Sequence, residues 1–137
     1  MLLQRLLQAA SLVEARLDTA VAPTGLSLAK LGVLQHLVEA DEPLPLGRLA
    51  ERIACVKSNI TQLVDRLEGE GLVCRELSRD DRRVVRAVIT AQGRRVYGAG
   101  ARARAAVEEA LAAGIPAARR AELAEALDSL ARAARPA

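Results

Sequence analysis

The sequence predicts a mainly helical domain that carries one small β-hairpin, in the order ααααββαα. Three observations predict it. Apolar side chains recur at helical spacing through most of the 137 residues. The period becomes strand-like only over 72–77 and 84–90. Apolar residues make up 51% of the chain, yet Tyr97 is its single aromatic. A core of Leu, Ala, Val and Ile suits packed helices better than a β-sandwich.

Each element has its own signal. Leu3, Leu6, Leu7, Ala10, Val13 and Leu17 define a first helix over about 2–20. Arg5, Glu14, Arg16 and Asp18 within it interrupt any signal-peptide core. Pro23 and Gly25 break this helix. Ser27 is suited to cap a second helix to about Ala40, with Leu28, Leu31, Leu34, Leu37 and Val38 facing inward. DEPLP (41–45) ends it, since proline lacks the amide donor and clashes inside a helix. A short third helix over about 46–54 turns Leu49, Ala50 and Ile53 inward. A turn around Cys55 and Val56 leads to a fourth helix that runs to about Glu70. Gly71 follows it, at a position where a left-handed residue terminates helices. Two helices joined so closely make a helix-turn-helix. LVCREL (72–77) and VVRAVIT (84–90) then flank the polar SRDDRR (78–83), which reads as a hairpin with a charged tip. Thr90 can cap a fifth helix reaching about Ala113, and GIP (114–116) ends it. A sixth helix over about 117–134 aligns Leu123, Leu127 and Leu130.

Composition removes several function classes. No apolar run approaches the roughly 18 residues of a membrane span, so no membrane partner is expected. Two cysteines are too few for a disulfide scaffold or a Cys-only zinc site, which points to a reducing, cytoplasmic setting. Cys55 and Cys74 read as small apolar packing residues, with a redox switch as the alternative. His36 stands alone in the second helix, and no Ser or Cys nucleophile has an evident base partner. No glycine-rich phosphate loop follows a strand. Neither an enzyme nor a cofactor is expected. The net charge of +3 is uneven: Arg48–Arg104 holds 13 basic and 7 acidic residues, the remainder 7 and 10. A basic middle between acidic flanks suits an anionic partner.

The fourth helix says which one. Ile60, Leu63, Val64 and Leu67 form one narrow apolar stripe. At about 100° per residue, the opposite face carries Ser58, Gln62, Asp65 and Gly69, flanked by Asn59, Thr61 and Arg66, with Lys57 at the start. Asn and Gln can pair with adenine, Arg and Lys with guanine, and a Thr methyl can touch thymine. By itself such a face also suits plain solvation. The hairpin tip alters the balance, because Arg79, Asp80, Asp81, Arg82 and Arg83 stand together on a ribbon thin enough to reach a neighbouring groove. The aspartates would hold the guanidinium groups extended by bidentate pairing. Single-stranded nucleic acid is not expected, since stacking platforms need aromatics.

LGRLAERIACVKSNITQLVDRLEGEGLVCRE (46–76), DDRR (80–83) and ITAQG (89–93), in that order, make nearly the whole chain resemble the MarR family of bacterial regulators. The resemblance implies a winged helix-turn-helix homodimer. Its recognition helix, 57–70, would enter the major groove of double-stranded DNA, and its wing, 78–83, the minor groove. The family's base-reading positions fall on Lys57, Ser58, Asn59, Thr61, Gln62 and Arg66, and its wing pair on Asp81 and Arg83. Two positions depart from the pattern. Val56 stands where relatives often place Ser or Thr, and the first helix lacks the cysteine of peroxide-sensing relatives.

Within residues 1–137, about 27–90 is expected to form the DNA-binding lobe, and about 1–22 and 91–137 the dimerisation helices. A wing-and-helices core of about 80 residues cannot cover the apolar stripes of the terminal helices, which a second copy would bury. The expected function is a transcription regulator, a repressor on a pseudo-palindromic operator. The alternatives are a winged helix that contacts only protein and a cysteine-based redox regulator. Many relatives also respond to a small-molecule effector. The usual aromatic lining is nearly absent here, with Arg16, His36 and Tyr97 the few polar or aromatic candidates, so ligand-binding residues stay unassigned.

Overall fold

The computed structural model describes residues 1–53 and 57–136, except the side chains of Lys57 and Ser58. The turn read at Cys55 and Val56 lies outside the described residues, as does the end of the third helix at Ala54. The chain forms two compact units, Met1–Arg104 and Ala105–Ala137.

In the first unit α1 spans Leu2–Val21 and a 3-10 turn follows at Ala22–Thr24. The turn ends at Gly25, whose φ of 83° lies in the left-handed region that favours glycine. α2 spans Leu28–Ala40, and the Ser27 side chain accepts a bond from the Lys30 amide at 3.2 Å, as the capping reading expects. Leu31, Val33, Leu34 and Leu37 are buried on it, while Leu28 and Val38 are half-buried. α3 spans Leu46–Ile53 and α4 Lys57–Gly69. Leu49 and Ala50 of α3 meet Ile60, Val64 and Leu67 of α4 in one core.

The hairpin is part of a larger sheet than the sequence signals. β1 (Leu44–Pro45), β2 (Val73–Leu77) and β3 (Val85–Ile89) form an antiparallel sheet in the order β1-β3-β2. Leu44 pairs with Ala87 and Pro45 with Arg86. The expected two-stranded ribbon thus gains a third strand from DEPLP, the segment read only as a helix breaker. An edge strand tolerates proline because the missing amide need not face a neighbour. Along β2, Val73 is buried and Cys74 is exposed. Cys74 is therefore not an inward packing residue: successive strand side chains alternate faces, and Val73 takes the core.

Helix α4 ends in a tight hydrogen-bonded turn. Gly71 (φ 77°) donates to Glu68 O at 3.0 Å and Leu72 to Leu67 O at 2.9 Å, which together satisfy the last carbonyls of the helix. Helix α5 spans Ala91–Ala112. Its start is stapled to this turn: Thr90 Oγ1 donates to Gly71 O at 2.7 Å and accepts from the Gly93 amide at 2.9 Å. The close approach explains Gly93 itself. A Cβ there would press into the Leu72 carbonyl oxygen and stand 2.8 Å from Ile89 Cγ1.

Leu2, Leu3, Leu7, Leu12 and Val13 of α1 are exposed, with Leu3 at 63% and Leu7 at 69%. In the second unit α6 spans Ala117–Ala134 and exposes Leu123 and Leu127. Val107 is buried, and Arg120 Nε donates to Ile115 O at 3.0 Å across the bend before α6. Among the described residues, no helix is long and apolar enough to cross a membrane.

Gly71 and Gly93 should respond differently to alanine. A Cβ at Gly71 meets nothing within 4 Å, so its cost is the left-handed backbone alone, about 1 kcal/mol. Gly93→Ala forces backbone apart and should cost about 2–3 kcal/mol. Urea unfolding of the two variants checks the order, and an equal or reversed ranking contradicts the packing described.

Candidate nucleic-acid interface

Burial fixes how α4 is rotated. Ile60, Val64 and Leu67 are fully buried and Leu63 is half-buried. Gln62, Asp65 and Arg66 are therefore carried outward, as is Asn59, and all four are exposed. Thr61 is half-buried at the edge of this face. Lys57 and Ser58 begin the helix, and their side chains lie outside the described residues.

The wing tip is a folded turn. Val84 donates to Asp81 O at 2.9 Å, and Ser78 donates to Val84 O at the same distance. The Asp81 carboxylate accepts from the Arg83 amide at 3.0 Å, the local turn that aspartate favours. It also accepts from Arg83 Nε at 3.1 Å and Nη2 at 3.3 Å. The guanidinium is thereby held along one edge, at two nitrogens, while 91% of the side chain remains exposed. Side-chain and then backbone donation from Arg83 hold the Asp81 carboxyl below the usual carboxylate range, and slight desolvation opposes this only weakly. Asp81 is half-buried, and Arg79 and Arg82 are exposed beside it. Among the described residues neither Arg79, Arg82 nor Arg66 forms an ion pair.

Arg75, which the sequence signals only as a strand residue, joins the two parts. From β2 its Nη1 donates to Glu68 Oε1 at 2.9 Å, and its amide donates to Glu68 Oε2 at 3.0 Å. Its Nη2 donates to the Asp65 carboxylate and, at 3.2 Å, to the Thr61 carbonyl. Asp65, on the outward face, is therefore an anchor to the wing strand. Lys30 of α2 pairs with Glu70 just past α4, and Arg86 of β3 pairs with Glu76 directly across the sheet. A recognition-type helix locked to a hairpin with a presented arginine is the DNA-binding lobe of a winged-helix transcription regulator.

Comparison with known proteins agrees. Residues 26–85 match the MarR family model. None of the curated proteins matches the sequence. Several solved structures do. A MarR family transcriptional regulator from Rhodococcus sp. RHA1 is 29% identical, with 92% of this chain and 89% of that chain covered and a TM-score of 0.82. CouR from Rhodococcus jostii RHA1, bound to p-coumaroyl-CoA, is 30% identical over 92% of this chain and 88% of its own, with a TM-score of 0.80. The repressor CouR bound to a 23-mer DNA duplex is 27% identical, covering 96% and 92%, with a TM-score of 0.89. The chain belongs to the MarR family. It is a DNA-binding transcription regulator.

The Asp81 carboxyl should titrate below the ordinary aspartate value of about 3.9. Its pairing with Arg83 then contributes above the usual range and is lost only as pH falls through the lowered value. An NMR titration checks this. Arg83→Ala removes the side-chain donors but keeps the amide, so the carboxyl should move up toward the ordinary range, and an unmoved value contradicts the pairing.

Proposed function

We propose that this regulator is a homodimeric repressor that grips a pseudo-palindromic operator. Recognition helix 57–70 lies in the major groove and wing 78–83 in the minor groove. Lys57, Ser58, Asn59, Thr61, Gln62 and Arg66 read base edges and adjoining phosphates. Arg83 enters the minor groove, steered by Asp81, with Arg79 and Arg82 on the flanking phosphates. The observation that carries this reading is Arg83, pinned by Asp81 yet 91% exposed, on the same unit as an outward polar helix face. The ordering cost of that side chain is met before DNA arrives.

Two copies follow from the exposed leucines. Leu2, Leu3 and Leu7 on α1 and Leu123 and Leu127 on α6 lie open to solvent in a single chain, and a second copy would bury them. Residues 1–22 and 91–137 then serve as dimerisation helices, with 27–90 as the DNA-binding lobe. Half-sites stand about one helical turn, roughly 10 bp, apart. CouR, to which the chain is similar, has been captured both with p-coumaroyl-CoA and on DNA, which supports release of the operator by a small-molecule effector. A transcription regulator of this family works on DNA in the cytoplasm.

Gln62→Ala combined with Arg83→Ala should weaken duplex binding about 100-fold or more, since each base or groove contact is worth about 1–3 kcal/mol. Thermal stability should hardly change, because both side chains are exposed. Fluorescence anisotropy with a selected duplex, at two salt concentrations, measures the effect. Affinity within twofold of the unaltered protein sinks the reading. Weak binding that ignores salt would favour a protein-contacting module instead.

A further inference from the structure

The apolar stripe fixes the rotation of α4 about its axis, and polar contacts add a second tie between the helix and the wing. Arg75 supplies them. One guanidinium spans Glu68, Asp65 and the Thr61 carbonyl, groups on successive turns of α4. Glu68 answers with its second oxygen on the Arg75 amide. That amide lies on the outer edge of β2, where no strand among the described residues pairs with it. The Arg75 side chain is 23% exposed, against 61% for Asp65, so water competes poorly for the guanidinium.

We propose that Arg75 is a positioning residue that sets the pose of the recognition helix on duplex DNA; this rests on the DNA-binding reading above. It touches no base. It acts through Asp65 and Glu68, which are anchors and not readers, and thereby through the register of Asn59, Gln62 and Arg66 against base edges. Discrimination between sequences depends on that register, whereas attraction to phosphates tolerates a loosened helix. A planar fork spreads its donors over separate nitrogens and so spans acceptors on successive helix turns, whereas the three donors of a lysine ammonium radiate from a single nitrogen. The charge is therefore replaceable and the fork is not.

The test compares the full-length protein with Arg75→Gln and Arg75→Lys. Two duplexes serve as probes: one recovered by selection from random duplex DNA with the unaltered protein, and a scrambled duplex of the same length and composition. The readout is the ratio of the two affinities, taken alongside the melting temperature. In both variants the ratio should fall about tenfold, the loss of one charge-assisted contact. Arg75→Lys should bind the scrambled duplex as the unaltered protein does. A ratio within twofold of the original, or equal losses on both duplexes, overturns the proposal while the DNA-binding reading stands. If the unaltered protein itself does not discriminate, that reading falls and this one with it. Should Arg75→Gln fail to fold, Arg75→Lys decides by the same criterion.

Discussion

A helix that reads DNA must be rigid while leaving its functional face unpacked, and here that conflict is resolved by splitting α4 lengthwise. Ile60, Val64 and Leu67 are fully buried, and burying each such side chain is worth about 1.5–3 kcal/mol. A rotation that exposed them would cost far more than any gain from one polar contact. The outward direction of Asn59, Gln62 and Arg66 is therefore a consequence of the core. Their chemistry is free to serve recognition because it contributes little to folding.

The end of the helix is held with the same economy of parts. Gly71 turns the chain, Leu72 closes the last turn, and Thr90 and Gly93 bring α5 against that same point. The wing begins one residue later at β2, so helix terminus and wing share one stapled joint. Arg75 adds the polar half of the connection. Asp81 repeats the principle at small scale, since its carboxylate fixes the guanidinium of an exposed arginine. Rigidity is concentrated where geometry matters, and at the tip Arg79 and Arg82 stand exposed with no ion pair among the described residues.

Most of the helical architecture was legible because its signals are local. The Ser27 and Thr90 caps, the Gly71 terminator and the apolar periodicities each lie within a few residues of what they control. β1 was not legible. It is two residues long, contains a proline, and exists only by pairing with β3 some 40 positions on. Cys74 had a usable signal, since strand alternation beside Val73 turns it outward. Pairing of tip aspartates with tip arginines was readable from the cluster at 79–83, and the family resemblance singled out Asp81 and Arg83. Arg75 was not, because the contact that gives it meaning crosses from strand to helix. Its only trace was Asp65 and Glu68 three apart on one helix face, followed seven residues later by a cation. Lys57 and Ser58, read as base contacts, lie outside the described side chains.

The central claim is that two such lobes, related by a twofold axis, engage neighbouring grooves of one duplex. Hydroxyl-radical footprinting of both strands of a selected duplex tests it most directly. The account predicts two protected windows related by a dyad, with centres about one helical turn, roughly 10 bp, apart, each flanked by minor-groove protection from the wing. A single asymmetric window, or protection with no minor-groove component, would contradict it.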